Sequence, residues 1–586
     1  MIRKINILKT LNNEESILAR TEVDQLLDRY IESADTCHQI RDVAIWHLLT
    51  TFEDMCRFNF TGEIDNSLSD IAIFIDERKY ALKHALDVIV RDTVATKVTL
   101  NQRNLDGCYE KSINLLEMGI SYQRLYRALS TSFNNRASFS ENLGGYEISI
   151  SAASNPAYSA LEVIGHGQLP IFDFMVLQYL ILNKKVEQTE QIDQTSKAKY
   201  IEIRHDILVN SNARIKKRIV NYDYSNEYAY YLANQVHQRP TIIPEDFEFP
   251  WGKGFETQVL INSIIIRCLY HILVIDLLSQ KNKIKGMHYE SLVLKTTKPQ
   301  LIEEISFLAD NLDYKKIESF VDYLIFGNNV KNPDPALQPI FSTLTGELLI
   351  PCNLIITNDM QRNILSLFAR VNKKGFDKQS HLFEDSMINE AAPLISQFPY
   401  TLTNQEFKKG KLKEEVDILI VDPNSHHILV LELRWFLQPG DAREVQQKVN
   451  VCSEKVKQAK RKVDFVKSNY QELLKRHFPD ISDTEKWEVS GAVVIKGYGG
   501  QESQSSDIPI ITLDILNHAA KQFSNLSCLY DWMCSKSWLP IEGLHFEQQI
   551  DKVEIDEVII SRPCIEIKTS PEELNQHIQA SILTSK

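Results

Sequence analysis

Apolar positions recur at three- and four-residue spacing through Ile17–Ile31, Asp42–Phe58 and Ile71–Val94, and this period predicts helices that each bury one face. The same period returns in Phe255–Leu278 and Ile302–Ile325, after a polar stretch, Glu187–Lys199, that reads as a linker. Three prolines between Asn328 and Pro339 exclude a long helix there, and no repeat of fixed period is present. Beyond Asp359 the pattern changes. Helices are predicted over Gln361–Val371 and His381–Ile395. Two β-branched-rich apolar runs follow, Glu415–Val421 and Ile428–Phe436, joined by the turn-forming residues Asp422-Pro423-Asn424-Ser425-His426-His427. A long helix comes next, then strands at Val489–Lys496 and Ile508–Leu513 separated by a loop that opens with Gly497-Tyr498-Gly499-Gly500. The order helix, hairpin, helix, strand, strand predicts an α/β sandwich around a mixed sheet.

The long helix begins at a variant capping box, Asp441 with Glu444 three positions on, just after Pro439-Gly440. Its apolar residues, Val445, Val449, Cys452, Val456, Ala459, Val463, Val466, Tyr470 and Leu473, alternate intervals of four and three and so form one narrow stripe. That stripe is expected to pack on the sheet rather than to build a coiled coil. Lys448, Lys455, Lys457, Lys460, Arg461, Lys462 and Lys467 read as lying off it. The expected architecture is therefore α+β and multidomain. A large, mostly α-helical N-terminal region (1–186, then 200–330) precedes an α/β domain with a mixed central sheet (340–535). A C-terminal extension (536–586) holds a strand pair at Lys552–Ile560 and Cys564–Lys568.

Composition narrows the function classes. A net charge of −13 over 586 residues excludes a protein that coats polyanions with its whole surface, so any nucleic-acid surface must be local. Between Lys408 and Arg476 the balance reverses, with fifteen Lys and Arg against ten Asp and Glu. Phosphate binding by such residues is the largest sequence-independent contribution to nucleic-acid affinity. Lys408, Lys409, Lys411 and Lys413 precede the first strand of the hairpin, and a second cluster is Arg214-Ile215-Lys216-Lys217-Arg218. The nine cysteines form no CxxC pair and no Cys/His cluster, which argues against a zinc site and a disulfide framework and for reduced thiols. The N-terminus lacks a signal-peptide pattern. The most apolar window, Leu260–Leu278, carries Arg267, His271 and Asp276, so a buried helix of a soluble, cytoplasmic protein is expected rather than a membrane span.

The hairpin carries the candidate chemistry. Numbering the turn symmetrically sets Val421 opposite Ile428 and, in the same register, Asp417 opposite Glu432. Like charges directly across an antiparallel pair are destabilising, and Glu432 interrupts the otherwise apolar run ILVLELRWF. A hard divalent cation with oxygen ligands is the simplest reason for two carboxylates in such a place. Arg434, two residues on, projects to the same face as Glu432.

This string, Glu-Val-Asp417-Ile-Leu-Ile-Val, a hairpin, then Leu-Glu432-Leu-Arg434-Trp, resembles the core of the PD-(D/E)xK phosphodiesterase superfamily, the restriction-endonuclease-like fold. The resemblance covers about residues 370–525. It implies that Asp417 is the strand acid, Glu432 the second acid, and Glu384 (or Glu390) the acid of the preceding helix. Gln446 and Lys448 match the basic or polar residues of the following helix. Arg434 stands where the family has lysine; it keeps the charge but does not transfer a proton. The implied activity is Mg²⁺- or Mn²⁺-dependent hydrolysis of a phosphodiester. Asp417, Glu432, the Leu433 carbonyl and Glu384 would hold the ion, Arg434 would stabilise the phosphorane, and Lys408, Lys409, Lys411, Lys413, Gln446, Lys448 and Lys455 would bind nucleic acid. DNA is expected before RNA, and a role in bacterial genome defence fits a nuclease with a large private helical region.

Two other readings stay open: a decayed core that binds nucleic acid or acts as a scaffold, and an effector switched on by a protein partner. A homo-oligomer is equally open. Trp251-Gly252-Lys253-Gly254 is not followed by the Lys-Ser or Lys-Thr of a phosphate-binding loop, so no nucleotide cofactor is expected. Gly165-His166-Gly167 reads as an ordinary loop.

Overall fold

A computed structural model describes residues 9–10, 13–60, 68–100, 107–133, 136–142, 145–151, 155–166, 214–216, 219–235, 241–281, 292–309, 312–409, 412–437, 442–481, 486–497, 500 and 507–585. The chain divides into two units interleaved in sequence. One comprises residues 1–23, 127–168 and 380–586; the other comprises 24–126 and 169–379. These units cut across the linear segments read from the sequence.

The second unit is built mainly from helices, including Arg41–Phe60, Leu68–Asp92 and Gly254–Lys281, with a small antiparallel sheet in which Glu347–Ile350 lies between Leu294–Thr297 and Phe341–Ser342. The stretch Gly254–Ile275 is long and apolar enough to cross a membrane, and 83% of its window is buried inside the protein, as in a core helix. Arg267 on this helix is satisfied internally by Glu304, 2.5 Å away. The expected helix Ile302–Ile325 is instead two, Lys298–Ser306 and Tyr314–Leu324. Asp313 accepts a hydrogen bond from the Lys315 N–H and so starts the second helix, a cap that the continuous apolar period conceals.

The first unit holds the hairpin. Its central sheet has the strand order β1 (Thr401–Lys409), β2 (Leu412–Asp422), β3 (His427–Trp435), β4 (Glu488–Lys496) and β5 (Ile510–Thr512). The pairs β1/β2 and β2/β3 are antiparallel, and β3/β4 and β4/β5 are parallel. One face, carrying Ile418, Ile420, Leu429, Leu431 and Val494, packs on α1 (His381–Glu390), α2 (Ala392–Gln397), α4 (Leu513–Ala520) and α5 (Leu526–Ser535). The other face, carrying Leu419, Val421, Ile428, Val430 and Val493, packs on the 36-residue helix α3 (Ala442–His477) through Cys452, Val456, Ala459 and Val466. Burial on both faces is why β3 reads as a continuous apolar run. Each fully buried Leu, Ile or Val contributes roughly 1.5–3 kcal/mol. The stripe of α3 thus packs on the sheet, as its period implies. The expected helix His381–Ile395 is broken in two, because Pro393 opens α2.

The expected C-terminal strand pair is displaced. The strands are Phe546–Ile555 and Val558–Ile567, and the hairpin turns at Asp556, whose φ is +50°. The second of them pairs in parallel with Gly145–Ile150, so the extension belongs to a second five-stranded sheet of the same unit.

Candidate functional site

The β2/β3 ladder has the symmetrical register, with Val421 opposite Ile428 and Ile418 opposite Leu431. It stops there. The next positions across are Asp417 and Glu432, and at this point a side chain replaces the backbone rung: Asp417 Oδ2 accepts a hydrogen bond of 2.7 Å from the Leu433 N–H. On the other side of β2, Asn404 adopts a left-handed backbone (φ +47°) between the paired residues Thr403 and Gln405. Because the N–H and C=O of a strand residue project to the same side, the Leu433 carbonyl faces the same gap between β2 and β3. Glu432 is 1% exposed, within a strand whose neighbours Leu431 and Leu433 are fully buried.

A buried carboxylate needs a partner, and α3 supplies two. The Lys455 ammonium lies 2.5 Å from Glu432 Oε1. Lys462 donates to Glu432 Oε2 and also to Asp417 Oδ1 at 3.3 Å, so it bridges the two carboxylates. Two negative and two positive groups make a neutral cluster. Burial, and then the nearby Glu432 charge, raise the Asp417 carboxyl above its ordinary value against the opposing pull of Lys462 and the Leu433 N–H. For Lys462, burial favours loss of the proton, but the Asp417 and Glu432 charges reverse this and hold the ammonium above the ordinary lysine value.

Arg434 leaves β3 on the Glu432 face, but its guanidinium extends to α1, where Nη1 lies 3.1 Å from Glu384 Oε1. Both side chains are about a third exposed, at 39% and 34%. Phe383 stacks on Trp435 with centroids 3.9 Å apart, which fixes the first turn of α1 over the end of β3. The structure therefore joins Glu384, the expected helix acid, to Arg434. Glu390 pairs with Lys496 at 2.5 Å.

The expected nucleic-acid contacts are rearranged as well. Lys448 is buried, donates to the Leu437 carbonyl, and lies 5.4 Å from the Phe436 ring centroid. Lys455 faces inward on Glu432. Lys408 and Lys413 are exposed and both pair with Glu406, Lys408 along β1 and Lys413 across the β1/β2 hairpin. Lys411, the side chains of Lys409 and Gln446, and the side chains of the Arg214–Arg218 cluster lie outside the described residues.

Lys462 is the residue that sequence reasoning missed. Lys448, Lys455 and Lys462 are spaced by seven, each just before an apolar stripe residue (Val449, Val456, Val463). Seven residues return an α-helix to within about 20° of the starting direction, so the three share one line beside the stripe. That spacing was a legible signal, and burial confirms it: Lys448 and Lys462 are both buried.

The oxygen donors at the gap, Asp417, Glu432 and the Leu433 carbonyl, suit a hard divalent cation in type. The Lys462 ammonium stands between the two carboxylates. Among the described residues, no group of three or more His, Cys, Asp or Glu is arranged to hold a metal ion. Comparison with protein-family models, with curated proteins and with solved structures finds no match to this chain.

Proposed function

We propose that the α/β part of the first unit is a metal-dependent phosphodiesterase of the PD-(D/E)xK kind, acting on nucleic acid and on DNA before RNA. The observation that carries this reading is the Asp417–Glu432 pair, opposed where β2 and β3 part, with Glu432 buried in an apolar sheet face, Asp417 partly exposed beside it, and both in contact with lysine ammoniums. The strand order, with an antiparallel meander, a long crossover helix and a parallel fourth strand, supports it. A bound Mg²⁺ or Mn²⁺ would supply Lewis acidity toward the scissile phosphate and a more acidic water. Asp417, Glu432 and the Leu433 carbonyl would hold it.

The remaining work falls to the chain's own side chains. Lys455, partly exposed and fixed by Glu432, would supply the ammonium that the strand lysine supplies in that family, in place of Arg434. The Arg434 guanidinium, steadied by Glu384, is oriented to bind a phosphate oxygen as a fork at the mouth of the gap. The test is cleavage of plasmid DNA with Mg²⁺ or Mn²⁺. Loss of cutting in Lys455→Met, with partial loss in Arg434→Met, is expected; equal activity of Lys455→Met and the unaltered protein overturns this assignment.

A second reading is favoured by one specific observation, the complete neutralisation of the two acids by two lysines. It is a module that binds nucleic acid without cutting it. It expects binding that is independent of Mg²⁺ and no cleavage by the unaltered protein.

A further inference from the structure

We infer that Lys462 sets the metal affinity of the hairpin centre, because its ammonium stands between Asp417 and Glu432 where a divalent cation would bridge the same two carboxylates. The inference rests on the proposed reading of this pair as a metal centre. The two lysines differ in what they touch. Lys455 engages Glu432 Oε1, whereas the Asp417 oxygens are held by Lys462 and the Leu433 N–H. Lys462 engages Glu432 Oε2 and Asp417 Oδ1 together, and its side chain is 8% exposed. A cation bound to both carboxylates therefore displaces Lys462 and is able to leave Lys455 in place.

Charge gives the direction. The four side chains sum to zero, so a divalent ion added with both lysines retained would bring a partly buried cluster to +2. Such an excess has no compensating anion among these four groups, and burial makes it costly. With Lys462 displaced or removed, the two carboxylates, the ion and Lys455 sum to +1. Metal binding in the unaltered protein is consequently weakened by competition with an internal cation. Lys462 acts as a determinant of metal affinity rather than as a group that touches the substrate.

The test measures metal binding, not cleavage. Mn²⁺ is titrated into the full-length protein and the free ion is followed by its electron paramagnetic resonance signal. Lys462→Met is expected to bind Mn²⁺ roughly tenfold or more tightly than the unaltered protein, since one charge at contact distance readily exceeds the ~1.4 kcal/mol that a factor of ten requires. Lys455→Met, which keeps the bridging ammonium, is expected to gain less. Lys462→Gln retains an amide donor for buried Glu432 and carries the same prediction if Lys462→Met does not fold. Adding Asp417→Asn to either Lys462 variant is expected to abolish the gain. Equal or weaker Mn²⁺ binding by both Lys462 variants overturns the inference, even if the unaltered protein cuts DNA. A gained, Asp417-dependent Mn²⁺ site upholds it, even if no variant cuts DNA and the phosphodiesterase reading fails.

Discussion

Replacing Glu432 with glutamine isolates the electrostatic core of the site. The change keeps volume and one oxygen acceptor but removes the charge on which both helix lysines converge. Glu432 is 1% exposed, and the side chains of Lys455 and Lys462 are 15% and 8% exposed, so solvent screens these contacts little. Glutamine also turns an N–H toward one of the two ammoniums. Two cations, one buried and one partly exposed, would then be left with the single Asp417 carboxylate, which accepts from Lys462 and from the Leu433 N–H. Leaving a buried charge without its partner costs about 3–5 kcal/mol. That is a large share of the 5–15 kcal/mol typical of a folded protein. The converse variant, Glu432→Leu with Lys455→Met, removes one charge of each sign and keeps the Asp417–Lys462 pair. It is expected to recover most of the loss, because buried ion pairs are replaced by apolar groups at little cost. The assay is hydrogen exchange of the β3 amides across a urea series, with chelator present to exclude metal. A cost below about 1 kcal/mol for Glu432→Gln, or a double variant no more stable than the single one, would refute the argument that these charges are held by mutual pairing.

Other substitutions test neighbouring parts of the account. The Asp417 carboxyl is raised, so the folded state takes up its proton before the unfolded state does. Stability from this group is full below its unfolded value near 3.8 and is lost as pH rises through the folded value. Urea midpoints from pH 7 down to pH 4 should therefore improve for the unaltered protein relative to Asp417→Asn; a difference that shrinks on acidification contradicts this. Lys462 is raised, so its contribution should persist through neutral pH and fall away only above about 10.5, and Lys462→Met should flatten the alkaline limb of the stability curve. Glu384→Ala should cost less than about 1 kcal/mol in thermal unfolding, since the Glu384–Arg434 pair is about a third exposed and solvent-screened. Gly500 has φ +90°, and a Cβ there would lie 2.5 Å from Cys452 Sγ and 2.8 Å from the Lys448 carbonyl oxygen. Gly500→Ala should thus lower the melting temperature, by the equivalent of about 1–3 kcal/mol.

The hairpin register was legible because a period of two fixes which residues share a face and the symmetrical turn selects among pairings two residues apart that keep both apolar faces inside. The α3 stripe was legible for the same kind of reason, a period sustained over many turns. Strand β1 was not: it lies at the sheet edge, and its residues Thr403, Asn404 and Lys408 are exposed, so Thr401–Lys409 shows no apolar alternation to read. The pairing of Gly145–Ile150 with Val558–Ile567 joins segments about four hundred residues apart, and nothing local in either strand encodes its partner. The site divides similarly. Asp417 and Glu432 stood out as charges in apolar strands. Lys462 was hidden among the ten Lys and Arg residues of one helix, and only its spacing from Lys448 and Lys455 separates it from solvent-facing neighbours such as Lys457, which is 71% exposed.

The central claim is that the Asp417–Glu432 pair is a catalytic centre. The most direct measurement is cleavage of supercoiled, linear and single-stranded DNA at fixed salt with Mg²⁺ or Mn²⁺, comparing the unaltered protein with Asp417→Asn and Glu432→Ala after each variant is shown to be folded. The account predicts metal-dependent cutting by the unaltered protein and a loss of at least about a hundredfold in both variants. Cutting that survives in folded Asp417→Asn and Glu432→Ala would contradict it and move the active site elsewhere in the chain.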